Sequence, residues 1–171
     1  KINFKTNSSL EAQIASISDD IAYNSHDLED GLKSNLFKLS DLNNILVLHK
    51  IVLKHIKKQK KYSIDIIIRQ IIRETINEMV SDVIETTKKN LKKNKILNLT
   101  DVYNAKNQIV TFSDKMKKFD TQVKSFLKKK MYFHRKVHSK TNLGRNIIKK
   151  LFVKIRKNPK KFITNFRNNS D

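Results

Sequence analysis

Apolar residues recur at helical intervals along most of this chain, which predicts a protein built from helices. The first helix carries four of them, spaced by four, three and four positions: Leu10, Ile14, Ile17 and Ile21. A longer pattern runs from Ile64 to Ile84 and predicts a central amphipathic helix. Only two Gly and one Pro are present, too few for the turns of an all-β fold. We therefore predict an all-α, multi-helix fold.

Polar residues at the starts of the later apolar patterns predict helix caps. Ser40 is placed to cap a helix that runs through the following apolar residues, and Ser113 is placed to cap another. Thr141 or Asn142 is predicted to begin the last long helix, which Pro159 is predicted to end. The region from Lys88 to Asn98 is polar and is predicted to lead out of the central helix.

The net charge of +21 is unevenly distributed. Residues 1–50 hold five Lys and seven acidic residues, whereas the chain from residue 115 onward holds 19 basic residues and two acidic ones. Such an excess suits an anionic partner such as nucleic acid. A bias towards Lys, Asn and Ile codons explains it equally well, because only six of the 37 basic residues are Arg. Both explanations stay open.

Other features of the composition bear on where the protein works. No Cys is present, which excludes disulfides and agrees with a reducing compartment. No apolar run approaches the roughly 20 residues that span a bilayer. We therefore expect a cytoplasmic protein without a membrane partner.

Three polar residues of the first helix are spaced for a common face. Asp19, Tyr23 and Asp27 stand at i, i+4 and i+8, so a continuous helix would place them on successive turns. Two carboxylates with a phenol between them could hold a cation and a hydroxylated ligand together. The alternative is a solvated acidic face. The strongly basic surroundings and the aromatic residue between the acids favour a binding role.

Sequence motifs at these residues, and two longer segments after them, resemble one known family. It is the deoxyguanosinetriphosphate triphosphohydrolase-like proteins, the branch of the HD-domain metal phosphohydrolases that hydrolyses deoxynucleoside triphosphates (dNTPs). The specific motifs are Glu11-Ala-Gln-Ile-Ala, Asp19-Asp-Ile-Ala-Tyr-Asn and His26-Asp-Leu-Glu-Asp-Gly-Leu, and the longer segments are 72–86 and 110–152. The resemblance implies an HD-domain-like helical bundle. Residues 1–40 would end the catalytic core, and residues 41–171 would form a C-terminal helical region.

The resemblance also gives each residue of the predicted site a role. Proteins of this kind bind a divalent metal ion, of the Mg or Mn type, through a His, a His-Asp pair and a final Asp that Asp19 matches. Tyr23 matches the residue that packs on the deoxyribose, and Asp27 matches the acceptor for the 3′-hydroxyl. The substrate would be a dNTP, and the whole protein would be a homo-oligomer.

The other metal ligands of the family have no match in this sequence. No His precedes His26, and the His26-Asp27 pair follows the final metal-binding Asp instead of preceding it, so it does not match the central His-Asp pair. We therefore expect this chain to be the C-terminal part of a longer enzyme whose catalytic residues lie upstream. By itself it should be inactive.

A second class of function is compatible with the basic C-terminal half. Lys128, Lys129 and Lys130 stand beside aromatic residues, a combination that can hold single-stranded nucleic acid. In this alternative the chain is a non-catalytic helical module for nucleic-acid binding or assembly.

Overall fold

A computed structural model describes residues 6–57 and 61–163, and every regular element in these ranges is helical. The predicted all-α fold is confirmed. Two short elements accompany the α-helices, a 3₁₀ turn at Leu39–Asn44 and a π-helical turn at Lys128–Tyr132. In chain order the α-helices are α1 (Leu10–Lys33), α2 (Leu46–Ile56), α3 (Ile64–Lys93), α4 (Leu99–Asn104), α5 (Asp114–Leu127), α6 (Arg135–Lys157) and α7 (Pro159–Ile163).

The core forms where the long helix α3 packs against α1 and α2, and where α1 packs against α5. The apolar stripe of α3 supplies residues with no exposed surface, such as Ile67 and Ile71. Its edge residues Ile64, Val80 and Ile84 remain partly exposed. From α1, the residues Ile21, Leu28 and Leu32 enter the same apolar cluster. Burial of this surface is the main favourable contribution to folding.

Several predicted boundaries differ from the structure. Helix α3 continues to Lys93, through half of the predicted polar exit, because Lys and Asn residues do not by themselves end a helix. Ser40 is not a cap: the Asp41 carboxylate accepts from the Lys38 backbone N–H, and a 3₁₀ turn forms instead. Ile14, predicted to be part of the apolar face, is 50% exposed.

The caps of the last two long helices give one confirmed and one wrong prediction. Ser113 is the N-cap of α5, as predicted, since its hydroxyl accepts from the Met116 backbone N–H at 3.2 Å. The prediction of Thr141 or Asn142 is wrong. Helix α6 begins at Arg135, where the His134 ring accepts from the Lys136 backbone N–H. Helix α6 ends before Pro159, as predicted, but that proline starts the short helix α7.

The chain divides into a first compact unit that ends at Met131 and a second that begins at Tyr132. This division does not test the predicted functional boundary at residue 40. In the second unit, no residue of α6 is buried. Among the described helices, none is long and apolar enough to cross a membrane. Six apolar side chains of α6 are between 50% and 68% exposed: Leu143, Ile147, Ile148, Leu151, Phe152 and Val153.

A close approach at the end of α1 requires glycine. A methyl group at Gly31 would overlap the ring of Phe37, which is buried and packs edge-on against Phe126 with the ring centroids 4.8 Å apart. Among the described residues, no atom outside the backbone of the helix itself lies within 4 Å of the corresponding point at Gly144 in α6. The two helical glycines therefore form a matched pair.

We expect Gly31→Ala to lower the free energy of unfolding by about 1–3 kcal/mol, because Phe37 must move out of a packed position. Gly144→Ala should instead stabilise its helix by about 0.5–1 kcal/mol, because alanine has the higher helix propensity. Urea denaturation, monitored by circular dichroism, measures both changes in the free energy of unfolding. Equal effects of the two substitutions would contradict the packing described here.

Helices α2 and α3 are joined by a polar cluster around a buried histidine. The Glu74 carboxylate accepts from Lys54 at 2.7 Å and contacts the His55 ring nitrogen Nε2 at 2.5 Å. The other ring nitrogen of His55 lies 3.1 Å from Gln70 Oε1. The hydrogen bond from Lys54, followed by the bond to His55, outweighs partial burial and holds the pKa of Glu74 below its ordinary value of 4.5.

A carboxyl group whose pKa is lowered by folding stabilises the folded state fully above its unfolded-state pKa. This contribution should therefore be lost as the pH falls below 4.5 through the folded-state pKa of Glu74. We expect Glu74→Gln to be less stable than the wild type at neutral pH and to lose less stability over that acidic range. Urea denaturation at a series of pH values tests this. Parallel pH profiles for the two proteins would contradict it.

Candidate functional site

The predicted site residues lie together on one exposed face of α1. Because α1 is continuous from Leu10 to Lys33, the side chains of Asp19, Tyr23 and Asp27 leave the helix on three successive turns. Tyr23 is 65% exposed, Asp19 is exposed and Asp27 is half-buried. We call these three residues the acidic column. Their arrangement on one face agrees with the predicted spacing, and their binding role stays a prediction.

Asp30 extends the acidic column at its C-terminal end. It follows Asp27 by three residues and is exposed, so it adds a carboxylate to the same side of α1. Asp30 is part of the motif that runs from His26 to Leu32, but no role was predicted for it. Its position three residues after Asp27 is the signal that could have identified it.

The side of α1 next to the acidic column is bound to α5 through polar groups. Asn24 donates to Asp120 Oδ1 at 2.8 Å. The Lys124 ammonium lies 3.0 Å from Asp120 Oδ2 and 3.2 Å from Asp20 Oδ2. Partial burial by itself lowers the pKa of Lys124, but the hydrogen bonds to Asp120 and Asp20 outweigh it and hold that pKa above its usual value. The lysine therefore stays charged between two carboxylates.

The start of α1 is fixed by the buried side chain of Gln13. Its Oε1 atom accepts from the backbone N–H groups of Ile109 and Val110, at 2.9 and 3.0 Å. Its Nε2 atom donates to the Ser8 carbonyl at 2.8 Å. Since buried backbone N–H groups need partners, Gln13 joins the first turn of α1 to the segment before α5. Gln13 is part of the motif Glu11-Ala-Gln-Ile-Ala, but no role was predicted for it.

The donor chemistry of the acidic column suits a hard divalent ion, but the described residues supply too few ligands to hold one. Asp19 offers carboxylate oxygens, which Mg and Mn ions prefer. His26 is seven residues further along α1, about 10 Å along the helix axis, too far to share an ion with Asp19. In the described part of the chain, no group of three or more His, Cys, Asp or Glu side chains could hold a metal. Asp19 could therefore be only one ligand of a larger set.

The three lysines predicted for nucleic-acid contact differ in their surroundings. All three lie on the π-helical turn after α5, where Lys128 and Lys129 are exposed. Lys130 is half-buried, and its ammonium lies 3.5 Å from Asp41 Oδ1. A hydrogen bond from the Lys38 backbone, assisted by Lys130, lowers the pKa of Asp41. Lys130 therefore has an intramolecular partner, which reduces its availability for phosphate.

Comparison with known proteins shows what this chain is similar to. Residues 110–171 match the phosphohydrolase-associated domain. A deoxyguanosinetriphosphate triphosphohydrolase-like protein of Pelagibacter ubique is 49% identical over 163 residues, covering 95% of this chain and 44% of the relative. Proteins of the same name from Bartonella quintana and Nitrosomonas europaea are 40% and 33% identical, each covering 88% of this chain.

This chain spans less than half the length of these relatives, 44%, 38% and 40% respectively. The similarity extends over nearly all of its own sequence, including α1 and the region after residue 110. The predicted resemblance is confirmed: over nearly all of its length, the chain is similar to deoxyguanosinetriphosphate triphosphohydrolase-like proteins.

Proposed function

We propose that this chain takes part in the hydrolysis of a deoxynucleoside triphosphate to a deoxynucleoside and triphosphate. The observation that carries the proposal is the acidic column itself. Residues that match the family's last metal ligand and its two sugar contacts lie in order on one face of a continuous helix, which is exposed at Asp19 and Tyr23 and half-buried at Asp27. The names of the relatives support the same reaction class.

In this proposal Asp19 supplies one carboxylate ligand of a divalent ion whose other ligands come from another part of the protein. Such an ion, when bound, lowers the pKa of a coordinated water and offsets negative charge on the attacked phosphate. Hydrolysis to these products breaks the bond between the 5′-oxygen and the α-phosphorus. The role of the chain is then to place Asp19 and to hold the deoxyribose at a fixed distance from it.

The two remaining residues of the acidic column would recognise the sugar. The Tyr23 ring would pack on the deoxyribose where a 2′-hydroxyl would otherwise sit, and the Asp27 carboxylate would accept from the 3′-hydroxyl. These residues are one helical turn apart, about 6 Å along the axis, which is compatible with contacts to adjacent carbons of one sugar ring. A site that excludes one hydroxyl and bonds another can discriminate strongly.

Replacing the proposed metal ligand tests the proposal at its centre. In a protein that contains the remaining ligands, we expect Asp19→Asn to reduce dGTP turnover by about a thousandfold or more, because the ion would be misplaced. The 171-residue chain alone should release negligible triphosphate. Asp114→Asn is a matched control, because that side chain is 98% exposed at the start of α5. Chelator-insensitive turnover by the chain alone would contradict the proposal.

Sugar selection gives a second test. We expect Tyr23→Ala to relax discrimination between dGTP and GTP, because it removes the group that excludes the 2′-hydroxyl. Asp27→Ala should instead reduce kcat/KM for dGTP, because it removes the acceptor for the 3′-hydroxyl. Steady-state kinetics with both nucleotides measures these effects.

The nucleic-acid alternative predicts a different pattern. Helix α6 favours it, because its sequence from Arg135 to Lys157 holds nine Lys or Arg residues and no acidic residue. In that case both column substitutions would be silent, and neutralising Lys128, Lys129 and Lys130 together would weaken binding of single-stranded DNA and flatten its salt dependence. That combination would replace the proposed function with the alternative.

A further inference from the structure

The residues that immediately follow the acidic column form a second row along α1. Asp20, Asn24 and Leu28 each come one position after a column residue, so they leave the helix about 100° further round its axis. Asp20 and Asn24 bond to α5, and Leu28 is almost completely buried in the apolar core. On every turn that carries a residue of the acidic column, the next residue in the sequence therefore attaches the helix to α5 or to the core.

Two residues of α5 hold the first two of these turns. The Asp120 carboxylate accepts from Asn24 with one oxygen and from Lys124 with the other, and Lys124 reaches Asp20. Asp120 and Lys124 are four residues apart on α5, just as Asp20 and Asn24 are four apart on α1. We call these four residues the α1–α5 clasp. It connects two successive turns of one helix to two successive turns of the other.

Directional bonds restrict α1 in a way that apolar packing does not. Apolar contacts stabilise close approach of two helices and depend only weakly on direction. Hydrogen bonds weaken steeply when their angles change, so the α1–α5 clasp opposes rotation and sliding of α1. The turns that it restrains carry Asp19 and Tyr23. Rotation by one residue position would turn the acidic column by about 100°.

We propose that Asp120 and Lys124 are positioning residues that set the direction in which the acidic column faces. Both lie in the region that matches the phosphohydrolase-associated domain. This gives that region a specific task, to orient the helix that carries Asp19, Tyr23 and Asp27. The identity of the ligand rests on the proposed function, but the orientation of α1 does not.

Distance measurement between spin labels tests the orientation directly. The sequence has no Cys, so Ser16→Cys on the column side of α1 and Gln122→Cys on the exposed side of α5 give one labelled pair. In the full 171-residue chain, we expect Lys124→Met and Asp120→Ala to broaden or shift the label distance distribution. Circular dichroism should show that the helices persist. Lys124→Arg should restore the wild-type distribution.

Lys54→Met is the matched control. It removes another lysine–carboxylate pair, the 2.7 Å contact to Glu74 that joins α2 and α3. It should leave the α1–α5 distances unchanged. Unchanged distances in both Lys124→Met and Asp120→Ala, or equal changes in Lys54→Met, would overturn the positioning role.

Activity provides a readout that separates this inference from the proposed function. The same protein is used as for Asp19→Asn, one that contains the remaining metal ligands and hydrolyses dGTP as wild type. In it, Lys124→Met should lower kcat for dGTP by about tenfold to a hundredfold, since misplacement of a catalytic group by an ångström has effects of that size. Lys124→Arg should recover most of the loss. If the label distances change but neither the wild type nor any variant hydrolyses dNTPs, the proposed function is overturned and the restraint of α1 by the α1–α5 clasp is supported. Altered distances with unchanged kcat would overturn the positioning of the site.

Discussion

The rest of this structure depends on one constraint, the fixed orientation of α1 about its own helix axis. One side of that helix must enter the apolar cluster with Ile21, Leu28 and Leu32, while the opposite side presents Asp19 and Tyr23. Gln13 fixes the first turn, and the bonds from Asn24 and Asp20 to α5 fix the middle turns. The exposed face is therefore determined by residues outside the acidic column.

Local patterns were sufficient to predict the class of fold and the grouping of the candidate site. Helical spacing identified α1 and the core of α3, and the interval of four residues put Asp19 and Tyr23 on one face. Ser113 was recognised as a cap because a hydroxyl before a helical pattern has a local partner, the backbone N–H of Met116. These features depend on residues within a few positions of one another.

Long-range contacts explain what the sequence analysis missed. The bonds from Asn24 to Asp120 and from Lys124 to Asp20 join residues 96 and 104 positions apart, so no local pattern identifies them. The approach of Phe37 to Gly31 likewise depends on the path of the chain after α1. Ile14 is 50% exposed although it follows the apolar spacing of α1, because spacing alone does not determine which positions another helix covers.

The two ends of the sequence differ in the sign of their charge. The N-terminal 50 residues are slightly acidic, and α6 carries only basic charged side chains. Within the first unit, part of the lysine excess is used internally, since Lys54, Lys124 and Lys130 each contact a carboxylate. Net charge alone therefore does not identify an anionic partner, because some of the lysines are already paired with carboxylates of the same chain.

The most direct measurement of the central claim is a structure with a divalent ion and a non-hydrolysable dGTP analogue, in a protein that contains this chain and the remaining metal ligands. We predict an Asp19 carboxylate oxygen about 2.0–2.6 Å from the ion. We also predict that the Tyr23 ring lies against the deoxyribose and that the Asp27 carboxylate lies within hydrogen-bonding distance of the 3′-hydroxyl. An ion and nucleotide bound away from this face of α1 would contradict it.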